Sequence, residues 1–249
     1  MLNESDSASP SKARRPVHEV LWTLSMFILF EQDDYDFVKS PLYSLHSMWS
    51  LIKSALDNRR EETESLRSEL TRVPNDNTLV NELRRHEIEE QIRSYPEVTR
   101  LACSAFTVMI FSSLEDSLGR ICRKLPALVG LSHRPPKRLY VGNALNFMKT
   151  HLGFSIPPTT EIDNLSMVRN AIVHESGVPK RQQSAMEQYC RDNPDLLWLD
   201  DRGELQFSTQ FPDRMSDNVF HFLRELHDRN ERRLEALRAQ YLARCSDTT

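Results

Sequence analysis

Apolar positions recur at helical spacing along most of the chain, with polar breaks between the periodic stretches. The clearest breaks are "RVPNDNT", "SHRPPKR" and "GFSIPPTT", which are rich in proline and small polar residues. The pattern predicts helices at about 17–31, 41–70, 78–94, 97–125, 138–151, 160–175, 181–191 and 212–244. The expected fold class is therefore an all-α helical bundle.

Two regions depart from this pattern. Residues 57–94 carry dense charge of both signs and few apolar positions, which predicts a long charged helical hairpin that projects from the body or serves as a dimer arm. In "DLLWLDDRGELQFS", residues 195–208, apolar and polar residues alternate on both sides of a glycine-containing turn. This alternation predicts a small β-hairpin that caps the helical body near the C-terminus.

The domain organisation expected from these elements is simple. Residues 1–16 are polar and are predicted to be disordered, and residues 17–245 are predicted to form a single helical domain. The apolar run "VLWTLSMFILF", residues 20–30, is too short for a membrane span, which needs about 20 residues. With no visible signal peptide, we expect a cytoplasmic protein without a membrane partner.

Composition and residue spacing limit the kinds of site that the chain is expected to contain. None of the four cysteines lies at zinc-ligand spacing, and no glycine-rich phosphate loop is present, so we expect no metal, no cofactor and no NTPase activity. The net charge of −4 does not indicate a nucleic-acid binder as a whole. Residues 117–160, however, contain no Asp or Glu and seven basic residues, which favours either a local phosphate-binding surface or ordinary solvated positions.

The stretch "SMVRNAIVHESG", residues 166–177, places three polar side chains on an apolar helix. Asn170 and His174 share a helix face, and the long side chain of Arg169 can reach over both. An imidazole exchanges protons near neutral pH, and an Arg guanidinium binds phosphate oxygens, so the trio suits cleavage of RNA by its own 2′-OH. The structural alternative is a His favoured by the helix dipole and an Arg at an apolar edge.

This stretch resembles the signature helix of HEPN domains, in which an Arg, a polar residue, three further residues and a His follow one another. The helix "FTVMIFSSLEDSLGRICRKL" resembles the second helix of that family. The β-hairpin and "VFHFLRELHDRNE" resemble the C-terminal part of large HEPN proteins of bacterial defence systems. The resemblance covers about residues 97–230.

The resemblance implies a metal-independent endoribonuclease that leaves a 2′,3′-cyclic phosphate and acts in antiphage defence or stress-induced growth arrest. Arg169 and His174 match the catalytic pair, Asn170 matches the polar position, and Glu115 matches an acid that braces the site in some members. The family further implies a homodimer with paired signature helices and leaves room for a regulatory partner protein. Ser176 stands where some HEPN toxins carry a modified Tyr, so we do not expect that route of regulation.

The basic loop "SHRPPKR" provides candidates for RNA contact. Arg134, Lys137 and Arg138 are expected to bind the RNA backbone, and His133 and Tyr140 to stack on bases, unless the loop is simply exposed. Two further functions stay open. The chain could be a non-catalytic HEPN module that binds RNA, a nucleotide or a protein, or a structural helical protein whose charged arm mediates assembly.

Overall fold

The computed structural model describes residues 41–74 and 78–246, so the predictions for residues 1–16 and for the helix at 17–31 lie outside the described residues. The described residues are mostly helical and contain a small antiparallel sheet near the C-terminus, which confirms this part of the predicted fold class. The elements are α1 (Pro41–Leu70), α2 (Leu79–Val129), α3 (Val141–Leu152), α4 (Thr160–Glu175), α5 (Gln183–Asp192), β1 (Leu197–Leu199), β2 (Leu205–Phe207) and α6 (Phe211–Ser246).

Helix α2 runs without interruption through Pro96, so the predicted division into helices at 78–94 and 97–125 is wrong. A proline inside a helix removes one N–H and costs about 3 kcal/mol, which favoured a break in the sequence. Ile88 and Thr99 are buried on either side of the proline, and the Thr99 hydroxyl donates to the Tyr95 carbonyl at 3.0 Å. Packing along the helix offsets the local cost.

Helices α1 and α2 lie antiparallel. Near the turn Arg84 forms an ion pair with Glu69, and further along the pair the rings of Trp49 and Phe106 lie 4.9 Å apart. The core forms where α2 meets the later helices and the hairpin. Its largest fully buried side chains are Trp49, Phe106, Ile110, Leu114, Leu118, Met148, Leu152, Ile162, Leu165, Met186, Leu197 and Phe211.

The β-hairpin closes over the end of α4. Strands β1 and β2 pair antiparallel, with Leu197 opposite Phe207. Leu205 is buried, and its N–H donates to the carbonyl of Gly177 at 2.9 Å, just beyond the end of α4. The hairpin therefore fixes the C-terminal end of the helix that carries the sequence motif.

Among the described residues, one helix is long and apolar enough to cross a membrane, over Leu79–Pro126 of α2. Core helices pass the same test, and Ile110, Leu114 and Leu118 of α2 are completely buried within the bundle. This helix gives no clear signature of a membrane protein.

Candidate active site

Helix α4 brings Arg169, Asn170 and His174 together. Val168 and Leu165 are completely buried on the same helix, so the apolar face fixes its rotation and leaves the polar trio directed outward. Arg169 Nη1 donates to Asn170 Oδ1 at 2.9 Å and lies 3.2 Å from His174 Nε2. The three residues that the motif singled out therefore form one connected group.

The guanidinium of Arg169 lies against one ring nitrogen of His174. A guanidinium carries donors and no acceptor, so His174 Nε2 is placed as the acceptor of this contact. The His174 side chain is exposed, and a ligand that draws Arg169 away would leave Nε2 open to another donor.

Helix α2 supports Arg169 from the other side. Arg169 Nη2 lies 3.9 Å from Glu115 Oε2, and the guanidinium carbon lies 5.8 Å from the centre of the Phe111 ring. These contacts leave Arg169 about one-fifth exposed, with a buried Nε that has no hydrogen-bond partner. The guanidinium is therefore held at the bottom of an open site with unused donor capacity.

Burial raises the pKa of the Glu115 carboxyl above its ordinary value of 4.5, and the nearby charge of Arg169 only partly opposes this effect. The structure thus places Glu115 beside the Arg, where the family resemblance expected a bracing acid. A carboxyl with a raised pKa holds a proton more readily than one at the surface.

A cleft of about 490 Å³ opens over this group. Its size lies within the range of sites for small ligands, about 300–1,000 Å³. Buried Ile162 and Met186 form apolar parts of its wall. The polar and aromatic side chains that line the cleft include Glu115, Tyr140, Arg169, Asn170, His174 and Arg181.

The cleft is not strongly basic. Arg169 and Arg181 face Glu115, Asp163 and Glu175 in its lining. Glu115 and Glu175 lie 3.9 and 3.7 Å from Arg169 and Arg181, and Asp163 accepts from the Thr159 hydroxyl. A polyanion would therefore meet little net attraction inside the cleft itself.

The basic loop predicted to contact RNA lies beside the cleft. Arg134, Lys137 and Arg138 are exposed, and none of them lines it. Of the two candidates for base stacking, Tyr140 lines the cleft, whereas the His133 ring packs 4.4 Å from the His151 ring. The structure therefore joins Tyr140 to the motif residues and separates His133 from them.

Phe111 and Arg181 are lining residues that the sequence motifs did not indicate. Phe111 lies one helical turn before Glu115 on α2, so the predicted position of Glu115 could have pointed to it. Arg181 lies in a turn and is 87% exposed, and no periodic pattern could have indicated that it faces the cleft.

Comparisons with protein-family models, with curated proteins and with solved structures found no match to this chain. In the part of the chain that the structure describes, no group of three or more His, Cys, Asp or Glu side chains could hold a metal ion.

Proposed function

We propose that the protein is a metal-independent endoribonuclease of the HEPN type. The observation that carries the proposal is the 3.2 Å contact between Arg169 and His174 in an open cleft. The pair combines a proton-transfer group with a phosphate-binding group, and both are mounted on a helix whose other face is packed in the core. The motif resemblance adds the reaction type.

The chemistry requires only the RNA and these side chains. His174 Nε2 takes the proton of a ribose 2′-OH, and the 2′-oxygen forms a bond to the adjacent phosphorus. Arg169 binds the non-bridging oxygens and stabilises the charge that develops on them, while Asn170 orients the guanidinium. The bond from phosphorus to the 5′-oxygen breaks, which leaves a 2′,3′-cyclic phosphate and, after protonation, a 5′-OH.

A homodimer would supply the second proton transfer. Among the described residues that line the cleft, His174 is the one imidazole, and it starts the reaction as the base. We therefore place His174 of a second copy opposite the first, as the acid that protonates the 5′-oxygen. In this account the RNA is the substrate, and the biological setting is cytoplasmic antiphage defence or growth arrest.

One observation favours a second candidate, a non-catalytic HEPN module that binds RNA, a nucleotide or a protein. The cleft has more carboxylates than arginines, and Arg169 already bonds to its own chain. A binding module would keep the cleft without needing the imidazole to exchange protons.

The test is cleavage of total RNA by purified protein in EDTA. We expect the wild type to cut, and His174→Ala to lower the rate by about 10²–10⁴-fold, as loss of an acid–base group does. Arg169→Ala should lower it by about 10²–10³-fold, as loss of a donor that stabilises developing charge does. His221→Ala is the matched control, because His221 is exposed on α6 and does not line the cleft. Equal cutting by a folded His174→Ala variant would refute the nuclease, and RNA binding without cutting by the wild type would favour the module.

A further inference from the structure

Tyr140 is an exposed aromatic residue at the edge of the candidate active site. It lines the same cleft as Arg169 and His174, and 53% of its surface is exposed. An aromatic ring left half in water, beside a site for phosphate chemistry, has a free face on which a flat ligand can stack. Among the described residues, the Tyr140 hydroxyl has no hydrogen-bond partner.

The backbone beneath the ring is firmly held. Tyr140 precedes the first residue of α3, and its carbonyl accepts from the Ala144 N–H at 2.9 Å. The next residue, Val141, is buried, and the Asn143 side chain donates to the Arg138 carbonyl. The backbone that carries the ring is therefore fixed, so a ligand that stacks there has to order only the side chain.

The loop before Tyr140 leads away from the cleft along α3. Its start is placed by the contact between His133 and His151 in the last turn of α3, and its end is Tyr140 at the first turn. Residues 141 and 151 are ten helical rises apart, which separates these points by about 15 Å. Exposed basic side chains lie between the two ends, at Arg134, Lys137 and Arg138.

We infer that Tyr140 stacks on the base of the nucleotide next to the scissile phosphate, and that the site therefore takes unpaired RNA and not duplex. This inference rests on the proposed nuclease function. A paired base is covered by its neighbours and cannot offer its face to a side chain, whereas a single strand can. The strand then leaves the cleft across the basic loop, where its phosphates meet Arg134, Lys137 and Arg138 without facing carboxylates of the cleft.

The test is the affinity for a single-stranded 2′-fluoro RNA, which lacks the attacking hydroxyl, measured by fluorescence anisotropy at fixed salt. We expect Tyr140→Ala to weaken binding by about 5- to 150-fold, the range for loss of one stacked base. Tyr140→Phe keeps the ring face and should bind like the wild type. Trp198→Ala is the control, because Trp198 is a similarly exposed aromatic residue that does not line the cleft.

A duplex of the same sequence separates stacking from a structural role. We expect the duplex to bind the wild type and Tyr140→Ala equally weakly, with unchanged thermal unfolding of the variant. Equal affinity of Tyr140→Ala and the wild type for the single strand would overturn the stacking inference. If the wild type nevertheless cuts RNA, the proposed nuclease function is unaffected by that result. A wild type that neither binds nor cuts would overturn both.

Discussion

Glu115 shows how burial and charge compete at a single residue of the site. Its carboxylate lies 3.9 Å from Arg169 Nη2, and this proximity alone would lower its pKa. Burial nevertheless raises the pKa, because a partly enclosed carboxylate loses more from desolvation than it gains from an ion pair at that distance. Ionising Glu115 therefore costs stability in the folded protein.

This balance predicts the pH dependence of a Glu115→Gln variant. Because the folded-state pKa lies above the ordinary value of 4.5, the contribution of Glu115 to stability is full below that value and is lost as pH rises through the folded pKa. Gln does not ionise, so the variant should gain stability relative to the wild type between pH 4 and pH 7. Urea unfolding at both values measures this, with exposed Glu89→Gln as the control. A relative loss at pH 7 would contradict the prediction.

Ser176 follows the last residue of α4 and lies in the left-handed region, with φ 56° and ψ 32°. A side chain with a Cβ pays for this conformation with about 1–2 kcal/mol of strain, part of which glycine avoids. We expect Ser176→Gly to raise the free energy of unfolding by about 0.5–1 kcal/mol. Thermal or urea unfolding measures it.

The control for Ser176 is Ser54→Gly, on the exposed face of α1 within the helix. There glycine should destabilise by about 0.5 kcal/mol, because it lowers helix propensity. If both variants lower the free energy of unfolding, backbone strain at Ser176 does not determine the effect of Ser176→Gly.

At the residue scale, the sequence was most informative where a motif fixed both type and spacing. The connection of Arg169, Asn170 and His174 followed from their positions on one helix. The approach of Arg181 to the cleft did not, because it depends on where a turn between α4 and α5 is placed by tertiary contacts. Of the two neighbouring acids on α2, Glu115 lies close to Arg169, whereas Asp116 forms an ion pair with Arg120.

At the scale of elements, Asn230 joins α6 to the segment that leads into α4. It is buried, its Oδ1 accepts from the Ser155 N–H at 2.6 Å, and its Nδ2 donates to the Ser155 carbonyl at 2.8 Å. The side chain thus satisfies both backbone groups of Ser155, in the turn between α3 and α4. This connection limits how far the start of α4 can move relative to α6.

The prediction is that Asn230→Ala destabilises the fold by about 2–4 kcal/mol, since it leaves buried backbone groups without partners and opens a small cavity. Chemical unfolding measures the loss. Asn218→Ala is a suitable control, because Asn218 bonds to Glu161 at the surface and should cost less than about 0.5 kcal/mol. Similar losses in the two variants would show that Asn230 has no special structural role.

Periodicity predicted the elements well where turn residues separate them, and poorly where a long helix continues through a proline. The β-hairpin was confirmed, because alternation and a turn glycine act within a few residues. The break at Pro96 was wrong, because the cost of one proline is local while the packing that offsets it comes from distant helices. The bond from Leu205 to Gly177 joins segments 28 residues apart, which no local pattern encodes.

At the scale of the whole molecule, charge and chemistry are distributed between different surfaces. Arg169 and His174 lie in a cleft lined by two arginines and three carboxylates, whereas the exposed Arg134, Lys137 and Arg138 lie on the loop before α3. Under the proposed function, an RNA strand would be attracted by this loop and would enter the cleft with one nucleotide. The second copy proposed to complete the acid–base pair is a property of assembly, which neither periodicity nor the packing of one chain predicts.

The most direct test of the central claim is the chemistry of the RNA ends. A short RNA of defined sequence is incubated in EDTA with the wild type and with His174→Ala, and the products are weighed by mass spectrometry. From the proposed mechanism, we expect 2′,3′-cyclic phosphate and 5′-OH ends from the wild type alone. Cutting should be lost when the 2′-OH at the cut site is removed. Products with 3′-OH and 5′-phosphate ends, or the same products from folded His174→Ala, would contradict it.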